Sequence, residues 1–559
     1  MVASVAPRGV AAAAGPSARP DTVSAPPARW SQVFRGPIVL GLIASTSVVV
    51  GAVIGGTQFV RDVPGDWFFG APGGPLGSVG SSHSPSGVSL VLVYGGILLL
   101  IAAWLRLLQL LHAHPGRPVR DVVKTISVWS IPVLIGPPLF SVDLYSYAGQ
   151  AELVSRHINP YLYGTGVLGG TPFNTMAGPT WANTPSPYGP LILRLDGLLA
   201  TIANHQILFT LVLLRLVAVG ALAVAVYALA GLAREFGRDR AQVVALGAAS
   251  PLAILAFLGG AHNDLVMVAM VLVGLLVARR KSWALGIVIC AAAATVKAPA
   301  FLAVIFLGWC WLGPVATWQA RFRRTVLAGA IAAGTMLFIS LLAGFGLHWV
   351  RTVNSASEVQ TGVTPVSFVA HVVAGTAHIM GVPWSFDGFL TVFRVLGFLA
   401  AAVFATRQLL VSPRKGMQHS LGISLLVVAL LLPTLWSWYL SWGLLVLAPV
   451  AEGRVRRFCI GVVAVATILG AGSNKHVAVA MYHASFGSDT FVVLGIAAVL
   501  LVDYLILFPK RRWLNGLAPG AARLTGHGEL AATRDAPLPG QDYREGGRTG
   551  SPSISLGSP

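Results

Sequence analysis

Long uncharged apolar runs, separated by short polar turns, recur along almost the whole chain. They give fourteen candidate spans, near 37–60, 88–105, 125–142, 206–232, 242–259, 264–278, 282–296, 298–315, 325–345, 388–406, 419–433, 438–451, 458–472 and 490–508. The longer ones match the ~20 apolar residues that a helix needs to cross a bilayer. This patterning predicts an all-α polytopic membrane protein, built as one bundle rather than as a string of soluble domains. The Ala/Pro/Ser-rich residues 1–36 and the Gly/Pro/Ser-rich residues 509–559 read as disordered tails flanking a transmembrane domain over 37–508. No compact leader with a cleavage pattern precedes the first run, so that span is expected to be retained.

Composition excludes a soluble globular protein. Of 559 residues, 55% are hydrophobic and 10% charged, against about 25% charged in ordinary domains, and the mean hydropathy is +0.75. The formal net charge of +19 would suit nucleic acid if it formed one patch, but the basic residues fall in short clusters between apolar runs. Nucleic acid is therefore excluded as a partner and the lipid bilayer takes its place. Placing the N-terminus in the cytosol puts 30 of the 38 Lys and Arg inside, six outside and two within spans. That asymmetry predicts an even number of spans with both termini cytosolic. The outer side then holds three long loops, 61–87, 141–205 and 346–387, and loops of that length usually carry function. The three cysteines show no paired spacing, and no glycine-rich phosphate loop, nucleophile elbow or zinc-protease motif occurs. Neither a metal nor a cofactor is indicated.

The candidate chemistry gathers on the outer side. Asp143 follows the third span, and a carboxylate at a membrane edge is costly unless used or paired. Two readings stand for it: a helix N-cap or a catalytic carboxylate. The run it opens has apolar positions at helical spacing and is expected to be amphipathic and to lie in the interface plane. Trp181 and Tyr188, in a proline-rich stretch, offer flat rings on which a sugar could pack, or else belong to an aromatic belt. Lys297 is the only basic residue in its outer turn, placed to face a phosphate or to snorkel toward lipid headgroups. His262-Asn263-Asp264 occupies another outer turn and suits hydrogen bonding better than metal binding. Arg194 with Asp196, Arg215 and Arg394 are further costly charges expected to pair. The aromatic turn Pro433–Trp442 reads mainly as an anchor for its flanking spans.

Taken in order, Phe140-Ser141-Val142-Asp143-Leu144-Tyr145-Ser146-Tyr147-Ala148-Gly149-Gln150, Asn159-Pro160-Tyr161, Pro187-Tyr188-Gly189-Pro190, Gly259-Gly260-Ala261-His262-Asn263-Asp264 and Val296-Lys297-Ala298 form a combination more specific than any single piece. It resembles the actinobacterial polyprenyl-phosphate-mannose-dependent α-(1→6)-mannosyltransferases, over about residues 35–510. The resemblance implies a C-type glycosyltransferase-like bundle of about fourteen transmembrane helices, with interfacial helices in the long outer loops, in the plasma membrane with its active site on the outer face. It further implies a polyprenyl-phosphate-mannose donor and an α-mannan glycolipid acceptor of the lipomannan and lipoarabinomannan kind. By that resemblance Asp143 is the general base, and Lys297, His262, Asn263, Asp264 and Arg194 serve the donor phosphate and sugar. Tyr145, Tyr147, Trp181 and Tyr188 face the acceptor. A transporter or flippase is the competing class, but it would place its charges near the midplane and show an internal repeat, and no repeat occurs here.

Overall fold

The computed structural model describes residues 35–54, 87–352, 364–381 and 385–471. The span expected at 490–508, the outer loop 61–87 save its last residue, and nearly all of both tails lie outside the described residues. Among the described residues every regular element is a helix. In chain order the main ones are α1 (Arg35–Ile54), α2 (Gly87–Ala113), α3 (Val119–Ile135), α4 (Asp143–Ser155), α5 (Pro190–Ile202), α6 (Ile207–Glu235), α7 (Arg240–Gly247), α8 (Asp264–Arg280), α9 (Trp283–Ala294), α10 (Phe301–Cys310), α11 (Trp318–Leu342), α12 (Pro365–Ile379), α13 (Phe386–Lys415), α14 (Met417–Leu431), α15 (Ser441–Leu447) and α16 (Gly453–Ala471). A π-helix, Ala253–Gly259, precedes α8.

Among the described residues, α1, α2, α6, α11 and α13 are long and apolar enough to cross a membrane, and the π-helix with α8, bent through 117°, makes a sixth if the two form one span. The protein is an all-α membrane protein. Several elements differ from the sequence reading. The run 242–259 is not one helix but α7 followed, after a break, by the π-helix. The run 438–451 is α15 between two 3-10 turns. The loop expected over 346–387 contains α12, whose start is fixed by a reciprocal cap in which Thr364 and Ser367 each bond the other's backbone N–H. At 15 residues, α12 is shorter than the ~20 residues that a span needs, in keeping with the interfacial helices expected in the outer loops.

Small residues set the closest packing. Gly41, Ala44, Ser45, Gly51 and Ala52 form the buried side of α1, which lies against α2 and α3, as expected where backbones must approach without a hydrophobic drive. The Trp129 indole fills the space beside Gly41 and donates to the Pro37 carbonyl.

Two further ties position the outer turns. The buried Arg215 of α6 donates to the carbonyls of Leu134 and Gly136 at the end of α3, and to Gly259 at the end of the π-helix. Leu139 N–H also bonds the Gly259 carbonyl. Among the described residues Arg215 thus meets a set of helix-terminal carbonyls, the groups left without intrahelical partners. This brace brings the loop leading to α4 beside the turn leading to α8. The second tie joins the start of α5 to the turn after α9, through Gly189 N–H to the Val296 carbonyl and Leu191 N–H to the Thr295 carbonyl.

That second tie depends on the absence of a side chain. A Cβ on Gly189 would stand 2.0 Å from the Thr295 carbonyl oxygen, a backbone atom that cannot swing away. Gly189→Ala is expected to lower stability by at least the ~1–3 kcal/mol of an overpacked site. Gly220→Ala, in open space on α6, serves as the tolerated control, and thermal unfolding of the two purified variants distinguishes them.

Candidate functional site

The site is built where four chain turns converge. Asp143 is the first residue inside α4, and the cap position belongs to Val142. The Asp143 N–H instead donates to Ser141 Oγ at 3.1 Å. The Asp143 carboxylate is therefore not the helix cap. Its Oδ2 lies 3.3 Å from His262 Nδ1, close enough to attract a protonated ring though off the line of a hydrogen bond. The Tyr147 hydroxyl, one turn along α4, donates to the same oxygen over a long 3.5 Å, and the Tyr188 hydroxyl donates to Tyr147 at 3.2 Å. Burial first, and then neighbouring negative groups including Asp143, push both phenols well above their ordinary pKa. Both stay neutral donors wherever the carboxylate is ionised.

The interface-plane helix expected after Asp143 is not amphipathic in the structure. Every residue from Asp143 to Val154 is buried, because the loop over 159–190 and helix α5 cover the side that would have faced out. Inside this cover runs a polar ladder: Gln150 donates to Ser146 Oγ, Ser186 Oγ donates to Gln150, and Tyr161 donates to the Tyr188 carbonyl. At the far end of α4 the wholly buried Glu152 meets Arg156 at 2.6 Å and His205 at 3.0 Å.

Lys297 neither snorkels nor stands alone. Its ammonium donates to both oxygens of Asp264, at 2.8 and 2.9 Å, and lies 4.2 Å from the centre of the Tyr439 ring and 5.4 Å from that of Trp442. The Trp442 indole N–H donates to Asp264 Oδ1 at 2.6 Å, and Trp438 stacks on the His262 ring at 3.6 Å. The aromatic turn expected to act as an anchor is thus the wall of this cluster. Composition alone does not separate such a wall from an aromatic belt, because both are rich in Trp and Tyr. Of the four ionisable side chains, Asp143 keeps 12% and Lys297 14% of its surface open, against 2% for His262 and none for Asp264. The Asp143 carboxylate and the Lys297 ammonium are the reachable edges, held by a buried interior.

Backbone strain marks the same place. Phe140 and Ala261 have φ of 62° and 50°, a left-handed conformation that costs a residue with a Cβ about 1–3 kcal/mol and persists only where the surroundings enforce it. Beside His262, a cavity of about 20 Å³ is lined by Leu139, Leu255, Trp438 and Gly470, which is room for a water and not for a lipid chain.

Other expected residues fall elsewhere. Arg194 is exposed on α5, and among the described residues no ion pair joins it to Asp196 or to the cluster. Asn263 is buried next to Asp196. Tyr145 is wholly buried near Arg215, and Trp181 is buried in a one-turn helix packed on the 165–168 turn. The rings of Tyr147 and Tyr188 meet edge to face at 5.1 Å, so both are filled against protein. Arg394 forms no ion pair among the described residues, and no cluster of metal-ligating side chains occurs among them.

The reachable carboxylate, the caged ammonium and the aromatic wall lie in an all-α membrane scaffold, and the match of its sequence to a family model places that scaffold in the glycosyltransferase class. The chain belongs to the alpha-(1->6)-mannopyranosyltransferase family: residues 38–313 match that family's N-terminal domain and residues 366–507 match the MptB C-terminal domain. It is 28% identical over 382 residues to alpha-(1->6)-mannopyranosyltransferase A of Mycobacterium tuberculosis, covering 66% of this chain and 72% of the relative. It is 27% identical over 415 residues to alpha-(1->6)-mannopyranosyltransferase B of Corynebacterium glutamicum, covering 68% of each, and 28% identical over 336 residues to the A enzyme of the same organism, covering 56% of this chain and 68% of the relative. No solved structure matches the chain.

The indole donor at Trp442 has a measurable weight. Trp442→Phe keeps a ring beside Lys297 and removes the hydrogen bond to buried Asp264, which is expected to cost about 1.5–3 kcal/mol. Trp436→Phe, at a ring that stacks on Trp438, should change thermal unfolding much less.

Proposed function

We propose that the protein is an inverting mannosyltransferase that moves mannose from polyprenyl-phosphate-mannose to the 6-hydroxyl of an α-(1→6)-mannan acceptor, in envelope glycolipid synthesis of the lipomannan and lipoarabinomannan kind. The observation that carries this reading is the reachable Asp143 carboxylate set against the His262, Asp264 and Lys297 cluster. The relatives' names supply the linkage and the sugar.

In this mechanism Asp143 takes the proton of the acceptor 6-hydroxyl while that oxygen bonds to the anomeric carbon of the β-mannosyl phosphate. The bond from that carbon to the phosphate oxygen breaks, and its electron pair leaves on the polyprenyl phosphate. Inversion needs one base and a stabilised leaving group, not the carboxylate pair of a retaining glycosidase. Lys297 gives two of its three N–H groups to Asp264, leaving one for the phosphate. His262, beside the base, is the second group set to balance the phosphate charge, so developing negative charge meets fixed donors. Asn263 and Asp264 hold these groups in place, and Arg194 remains at the surface for the lipid phosphate. Tyr147 and Tyr188 serve the acceptor by shaping the wall behind Asp143, Tyr145 and Trp181 serve it from farther off, and any stacking of a sugar on these rings requires the loop over 159–190 to open.

The same reading places the active site on the outer face of the plasma membrane, both termini in the cytosol, and about fourteen spans of a C-type glycosyltransferase-like bundle around it. The basic asymmetry supports this orientation.

Purified protein in detergent, synthetic polyprenyl-phosphate-mannose and a short α-(1→6)-mannoside should yield an α-(1→6)-extended product by NMR. Asp143→Asn should fold and lose about 10²- to 10⁴-fold in rate; near-normal transfer by that variant would remove Asp143 from catalysis, and product of another linkage or none would remove the proposed reaction. Sidedness has its own test. A cysteine at exposed Asn183 should react with a membrane-impermeant maleimide in intact cells, and one at exposed Val315 only after lysis. The reverse pattern would invert the topology and take Asp143 and Lys297 off the outer face.

A further inference from the structure

Asp196 is an acidic residue that the mechanism above does not use. It sits in the middle of α5 with 1% of its surface exposed, and neither carboxyl oxygen has a hydrogen-bond partner of acceptable geometry among the described residues. No cation pairs with it there: Arg194, two residues away, is on the exposed side of the helix. An ionised carboxylate held so is strongly disfavoured, and burial favours the neutral acid. Burial pushes its pKa well above the ordinary carboxylate range, an effect that the neighbouring Asn263 amide partly offsets. A neutral carboxyl has what a carboxylate lacks, an O–H donor, and the side chain beside it is Asn263, whose own buried Nδ2 also has no partner of acceptable geometry. Which end of an amide carries the oxygen is assigned from its hydrogen bonds. Turned over, Asn263 presents its carbonyl oxygen to the acid.

We propose that Asp196 is a positioning residue that, as a neutral acid, donates to Asn263 and so holds the turn from which His262 and Asp264 project. The placement of α5 explains why the tie matters. Its first turn is bonded by backbone to the Lys297 turn, through Gly189 to Val296 and Leu191 to Thr295. Its middle, through Asp196, reaches the turn between the π-helix and α8. One helix is thus the strut between the two turns that supply His262, Asp264 and Lys297. The turn on the Asp196 side includes Ala261 at φ of 50°, a conformation that needs outside support. Without it the turn is expected to relax, moving His262 away from Asp143 and Asp264 away from Lys297.

The inference rests on the proposed mannosyl transfer for its kinetic arm, so a second arm is independent of activity. In the infrared spectrum of the purified protein at neutral pH, the C=O stretch of a protonated carboxylic acid should be present and should vanish in Asp196→Asn. If the wild type lacks that band, or Asp196→Asn keeps it, Asp196 is not the neutral acid and the proposal falls, whatever the enzyme transfers. For transfer, Asp196→Asn keeps a neutral side chain that both donates and accepts and should stay near wild type in kcat. Asp196→Ala should lose on the order of 10²-fold in kcat, the scale of a catalytic group displaced by about 1 Å, with a smaller change in KM for the donor. Equal losses in both variants would mean that the negative charge is needed, and an Asp196→Ala protein with lowered thermal stability but unchanged kcat would make the residue structural only; either result overturns the positioning role.

Discussion

A lysine and an aspartate that cannot both be left alone in a dry interior hold this site together. Lys297 and Asp264 come from turns 33 residues apart, and each would be a severe liability unpaired, since breaking a buried pair costs about 3–5 kcal/mol. Their bond fixes the turn before α8 against the turn after α9. Tyr439 and Trp442 then close over the ammonium and the carboxylate, drawing in a fourth segment from far along the chain. The aromatic faces favour a cation while the indole N–H satisfies the carboxylate. Charge, ring and donor are therefore interdependent.

Asp143 depends on this pair without touching it. The Arg215 brace sets the loop before α4 next to the Gly259 carbonyl, and Trp438 fixes the His262 ring by stacking. The result is a carboxylate with a histidine on one side, a neutral phenol chain on another and a narrow open edge. Such a group can accept a proton at the open edge while its surroundings stay rigid, which is what preorganised acid–base chemistry requires. The strained backbone at Phe140 and Ala261 belongs to the same arrangement, because the two chain segments can approach this closely only by turning sharply on either side of it.

The residues of the cluster were largely legible as suspects. Charges in an apolar chain are few, and Asp143, His262, Asp264 and Lys297 stood out by cost alone. Their partners were not. Lys297 looked unpaired because Asp264 is distant in sequence, and the Trp438, Tyr439 and Trp442 turn looked like an anchor because belt aromatics have the same composition. The helix after Asp143 looked amphipathic because periodicity shows which positions are apolar but not what covers the polar ones. Ser146, Gln150 and Ser186 are polar and yet buried, since they satisfy one another.

The sequence by itself determined the class of molecule, its helical content and the side-chain types available for chemistry. Those follow from hydropathy, turn residues and the cost of charge in lipid, all of which act locally along the chain. Only the tertiary structure decided that Lys297 is caged and paired, that Asp143 is no helix cap, and that Arg194 stays at the surface while Asp196 is sealed in the interior. Each of these is set by contacts between segments distant in sequence, where burial and partner geometry, and not local pattern, fix the energy of a charge.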